Sequence, residues 1–134
     1  MNMKTTGVTI RKISKEENGK TINPSTKNLH KQIRTLHKKL KKNDSSITIN
    51  YAIEKDNHKG KYHTHLIVNY NDETNLNNQL QRFIGGTEWI EKKEGFDKYN
   101  HCNGKFGEVD THYIYDEQKF LQYINKKSIS KVLI

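Results

Sequence analysis

The chain has one cysteine, one proline, one tryptophan and two methionines among 134 residues, and no long apolar run. Each scarcity removes a class of protein. A lone Cys102 cannot build a disulfide framework or a cysteine-rich zinc site, and it suits a reducing, cytoplasmic setting. Without about 18 consecutive apolar residues, no membrane span is expected. The start, Met-Asn-Met-Lys, lacks the apolar segment of a signal peptide. Acid is also in short supply. Fifteen Asp and Glu against 24 Lys and Arg give a formal charge of +9, which favours polyanionic partners, nucleic acid first among them. A solvated lysine-rich surface gives the same sum, so the charge decides nothing without a site.

What hydrophobic residue there is, 31% of the chain, gathers into short patterned runs, so one domain over residues 1–134 with a modest core is expected. Val8 to Ser14 reads as a first strand, followed by a turn-rich stretch from Glu16 to Pro24 with Asn-Gly and Asn-Pro signals. Ser25 or Thr26 can cap a helix to about Lys42, because Leu29, Ile33, Leu36 and Leu40 recur at spacings of three and four. From Ser45 to Glu54 the pattern alternates, with Ile47, Ile49, Tyr51 and Ile53 on one face and Thr48, Asn50, Ala52 and Glu54 on the other. A turn at Lys55 to Lys61 leads into a second strand, Tyr62 to Tyr70, so the two form an antiparallel hairpin. Asp72 to Ile84 is a second helix stopped by Gly85-Gly86. Thr87 to Ile90 and Glu108 to Tyr115 are strands joined by an exposed polar connection, in which His101 and Cys102 read as loop residues. Asp116 caps a last helix, Glu117 to about Lys127, and Val132-Leu133-Ile134 is an apolar tail that either docks back or makes a dimer contact. The order β-α-β-β-α-β-β-α predicts an α+β fold: a mostly antiparallel five-stranded sheet with packed helices, of ferredoxin-like character.

His63 and His65, at i and i+2 on a strand, place both imidazoles on one face at a spacing one divalent cation can bridge. Surface strands also carry histidines without metal, so a third ligand is needed. Glu54, on the small polar face of the preceding strand, supplies one; His58, in the turn, is a rival. Glu54 is equally able to pair with Lys55, Lys59 or Lys61. Two imidazoles and a carboxylate suit Mn²⁺ or Mg²⁺ with sites left for water and substrate oxygens. Among seven tyrosines, Tyr123 falls at the border of the apolar face of the last helix, with Lys126 at i+3. An adjacent ammonium favours the phenolate, the nucleophilic form of a phenol whose ordinary pKa is near 10. The same position also suits a tyrosine that packs its ring at the core edge.

Through His63-Thr64-His65 on a strand, Tyr123-Ile124-Asn125-Lys126 on a helix and Glu54 at the end of the preceding strand, the sequence resembles the HUH endonucleases. The likeness is to their replication-initiator (Rep) branch with one catalytic tyrosine, from about Val8 to Lys127. Thr64 stands where the family usually has a bulky apolar residue, and Val8-Thr9-Ile10-Arg11 is a poor match to its first-strand motif. The resemblance implies an HUH fold, RRM-like in its sheet, in which His63, His65 and Glu54 bind Mn²⁺ or Mg²⁺. It implies that Tyr123 attacks single-stranded origin DNA, free or in a hairpin, while Lys126 stabilises charge. The products are a 5′-phosphotyrosyl link and a 3′-hydroxyl that starts rolling-circle replication and is later rejoined. A separate helicase and a polymerase are implied partners, with the protein a monomer or homodimer. If a virus, phage or plasmid encodes it, the setting is the host cytoplasm. Arg11, Lys12, Arg34 and Lys61 are candidate phosphate contacts. A single-tyrosine transposase of the same superfamily is one alternative; Lys126 and the acidic ligand favour the initiator. A non-catalytic RRM-like single-strand binding module is the other, and it would carry aromatics on its exposed sheet face.

Overall fold

The longest apolar repeat builds the longest helix. In a computed structural model, which describes residues 3–12, 15–55, 62–95, 97–113 and 131–134, helix α1 runs Thr26–Lys41. Ser25 caps it, its hydroxyl accepting the Asn28 N–H at 3.2 Å. Leu29, Ile33, Leu36 and Leu40 are all buried along one face. Helix α2, Glu73–Ile84, begins where the Asp72 carboxylate accepts the Asn75 N–H at 3.0 Å and ends at Gly85, whose φ of 65° is open mainly to glycine. Buried Asp44 joins the two helix regions by accepting the backbone N–H groups of Asn71 and Asp72 at 2.7 and 3.0 Å.

Strand β1 is Lys4–Lys12; β2, Lys15–Glu17, and β3, Lys20–Ile22, form a separate hairpin closed by Asn18-Gly19, both at positive φ. The remaining strands are β4 Thr48–Lys55, β5 Tyr62–Tyr70, β6 Ile90–Glu94, β7 Asp97–Gly104, β8 Gly107–Tyr113 and β9 Lys131–Leu133. With β1 they form one antiparallel sheet in the order β6-β7-β8-β1-β5-β4-β9. Both helices share one core cluster with Val8, Ile10, Ile49, Tyr51, Leu66, Val68 and Val109, so both lie on the same face of the sheet. Alternation then assigns Thr9, Arg11, Glu54, His63, His65, His101 and Asp110 to the other face.

The α+β class agrees with the sequence, but among the described residues the sheet has seven strands rather than five. Two arise in the stretch read as an exposed connection. Ile90–Glu94, rather than Thr87 to Ile90, pairs with Asp97–Gly104, and every residue of β6 is exposed. An edge strand with no buried position leaves no alternation to read. His101 and Cys102 are therefore not loop residues. Both are buried in β7, Cys102 in the core and His101 on the opposite face. A Cβ on Gly104 would collide with the Ile84 carbonyl, and one on Gly86 with Cys102 Sγ, so glycine at both positions lets the end of α2 lie directly against β7. The seventh strand is the apolar tail. It docks back on β4, where Ile49 and Ile134 exchange both backbone hydrogen bonds at 2.8 Å. The expected last helix, with Tyr123 and Lys126, lies outside the described residues, as do His58 and Lys61. Among the described residues no helix is long and apolar enough to cross a membrane.

Candidate metal centre

The hairpin of β4 and β5 sets the site by register alone. Glu54 pairs with His63 and Ala52 with His65, so Glu54 sits directly across from one histidine and diagonal to the next. The small Ala52 leaves the carboxylate room to reach both. His63 Nε2 and His65 Nε2 approach the same oxygen, Glu54 Oε2, at 3.1 and 2.9 Å. The rings meet edge to face, 4.8 Å between centroids. One ligand atom from each of the three residues lies within 4.8 Å of the others, which is the spacing a metal ion can gather.

The side chains of Glu54, His63 and His65 are 20, 13 and 11% exposed, so the cluster is largely withdrawn from water yet not sealed. Burial holds the His65 pKa below the usual imidazole value; the charges of His63 and Arg11 push the same way, against the hydrogen bond and charge of Glu54. A neutral imidazole keeps the lone pair that a metal needs. On its other side His65 Nδ1 lies 3.3 Å from the Thr9 hydroxyl on β1, the residue paired with it across the sheet. A hydroxyl can accept or donate, so Thr9 can orient the ring in either tautomer, as outer partners of metal-bound histidines do.

The chemistry of the donor set, two imidazoles and one carboxylate converging from adjacent strands, fits a divalent cation. The other site candidates divide. Arg11 lies on this face of the sheet, tied to Glu108 at 3.6 Å and Asp110 at 4.0 Å, and its charge reaches His65. Arg34 does not. It is on α1, behind the sheet, where its charge acts on the buried Tyr51 hydroxyl that His30 Nδ1 meets at 2.8 Å. Lys12 ends β1 opposite Gly107. Tyr123, Lys126 and Lys61 are outside the described residues.

Two features escaped the sequence. Thr9 becomes legible only once β1 is known to pair with β5. Asp110, beside Thr9 on β8, hydrogen-bonds His101 Nδ1, extending the polar surface from the group of Glu54, His63 and His65 across β1 to β7. Tyr99 and His112, with ring centroids 5.3 Å apart, occupy the same face. The chain matches no family model, no curated protein and no solved structure.

Proposed function

We propose that this protein is a metal-dependent endonuclease of the HUH type that nicks and rejoins single-stranded DNA through Tyr123, acting as a replication initiator. The observation that carries the reading is the convergence of His63 and His65 on one oxygen of Glu54, at the positions the family motif requires. The strand order supports it. Setting aside β6, β7 and β9, the order β8-β1-β5-β4 is that of two interleaved β-α-β units, the ferredoxin-like arrangement on which an RRM-like or HUH sheet is built.

When bound by His63, His65 and Glu54, Mn²⁺ or Mg²⁺ supplies positive charge that polarises a phosphoryl oxygen. The chain does the rest. Tyr123 Oη forms a bond to phosphorus as the bond from phosphorus to O3′ breaks; the phenol proton leaves, and the departing oxygen ends as a 3′-hydroxyl. The 5′-phosphate stays on the tyrosine, so the phosphodiester energy is kept for resealing by the reverse attack. Lys126 stabilises the phenolate or the phosphate charge. Thr9 holds the His65 ring, and partial burial keeps that imidazole neutral.

Labelled single-stranded oligonucleotides incubated with the protein and Mn²⁺ test this on a denaturing gel. A protein–DNA adduct is expected that disappears with chelator and in Tyr123→Phe. An adduct that persists in Tyr123→Phe would rule out the stated nucleophile. The pair His63→Ala and His65→Ala should abolish nicking while leaving salt-sensitive DNA binding. A second reading, a non-catalytic single-strand binding module, draws on Tyr99 and His112, whose adjacent rings offer bases a surface to stack on. Strand binding without any adduct across a panel of origin-like hairpins would favour it.

A further inference from the structure

A row of cations among the described residues lies away from the cluster of Glu54, His63 and His65. Among the described residues, the sheet face around Glu54 carries two further carboxylates, Glu108 and Asp110, and its Arg11 is engaged by both. On the opposite side, among the described residues, cations stand close together. Helix α1 has six Lys or Arg and no acid between Thr26 and Lys41. In the groove where α1 packs beside α2, Lys31, Lys39 and Lys42 face Arg82 across a hollow of about 770 Å³, with Phe83 and Phe106 in its wall and no carboxylate among its described lining residues. None of these four cations has a carboxylate partner within 4.0 Å among the described residues. Lys31 also borders an adjoining hollow that includes Lys27 and Arg34, so the positive surface continues along α1.

Like charges crowded on one helix repel, and each such neighbour pair weakens the helix in isolation. Lysine near the end of a helix gains from the helix dipole, which accounts for Lys39 but not for Lys31, in the second turn of α1. A chain of phosphates offsets the whole row at once, releases its own counterions and needs no base-specific donors. The phenyl groups give the groove an apolar wall on which sugar or base can rest.

We propose that the groove between α1 and α2 is a second nucleic-acid site, one that holds a phosphodiester backbone through Lys31, Lys39, Lys42 and Arg82 on the side of the sheet away from the metal cluster. It grips DNA without reading sequence and without metal. Because the two sites are back to back, one length of nucleic acid reaches both only by passing around the molecule, or two segments are held at once.

The test is fluorescence anisotropy in EDTA, which silences the metal cluster, with a labelled single strand, a labelled duplex and labelled polyglutamate of equal charge. The fourfold variant Lys31→Gln, Lys39→Gln, Lys42→Gln, Arg82→Gln is compared with Glu54→Gln. For the wild type and Glu54→Gln, log affinity should fall steeply with log salt. In the fourfold variant the slope should become shallower by about 3 for duplex or single strand, at roughly 0.7 to 0.9 for each phosphate that is no longer neutralised. The strand form bound more tightly identifies the natural source of the backbone. Thermal melting confirms that the variant is folded; should it not be, the single changes Lys31→Gln and Arg82→Gln, each with a slope change of about 1, carry the same comparison. An unchanged slope in the folded variants overturns the proposal. Equal binding of polyglutamate, with the same slope, overturns the nucleic-acid assignment in favour of an acidic protein surface.

Discussion

His65 is pulled in two directions, and the balance sets how the site responds to acid. Burial holds its pKa below the ordinary 6.5, while an unfolded chain returns it to that value. Between the two, the unfolded state binds the extra proton, so this group's contribution to stability is complete above about pH 6.5 and is lost as pH falls through the folded value. The thermal midpoint should therefore drop between pH 7.5 and pH 5, and His65→Gln should flatten that part of the profile. Metal affinity should follow the same sign, since protons and cations compete for the imidazole, and its loss should set in at a lower pH than for an exposed histidine. Thr9→Val, which removes the hydroxyl beside His65 Nδ1 at nearly constant shape, should weaken metal binding by about 10-fold without unfolding the chain, as removal of an outer partner does. The grouping of Glu54, His63 and His65 was legible in the sequence because strand alternation is rigid: i and i+2 share a face, and one hairpin turn fixes which acid lies opposite. Thr9 was not, because its contact with His65 crosses 56 residues of chain and depends on which strands become neighbours.

Elements whose sequence states its own start and stop were legible to within a residue or two. Ser25 and Asp72 cap α1 and α2, and Gly85 ends the second, since capping is local chemistry written in adjacent residues. Ser25→Ala should cost about 1 kcal/mol of stability, measured by urea titration with an unchanged m value. Strands β6 and β7 hid because Ile90–Glu94 buries nothing, and Asp97–Gly104 has only Cys102 in the apolar core. Their place is fixed instead by the close approach of α2, and Gly104→Ala, forced against the Ile84 carbonyl, should destabilise by about 1–3 kcal/mol, the usual range for overpacking. Amide exchange should then accelerate in β7 and β8 more than in β4 and β5.

At the scale of the whole molecule the sheet separates two chemistries. Its far face carries the histidines and carboxylates that can hold one cation; its helix face carries, among the described residues, a groove of cations that no carboxylate neutralises. The +9 total pointed to a polyanion, but a sum has no direction, and only the sheet order shows that Arg11 stands beside Glu54, His63 and His65 and Arg34 behind them. Everything proposed for the reaction depends first on Glu54, His63 and His65 binding a single divalent ion. Isothermal titration of the metal-free protein with Mn²⁺ at pH 7.5 measures that directly. The account predicts one ion per chain, a rise in thermal midpoint with added Mn²⁺, and loss of both in a folded His63→Ala, His65→Ala variant. Wild-type protein that takes up no Mn²⁺, or a double variant that binds it as well as the wild type, would contradict it.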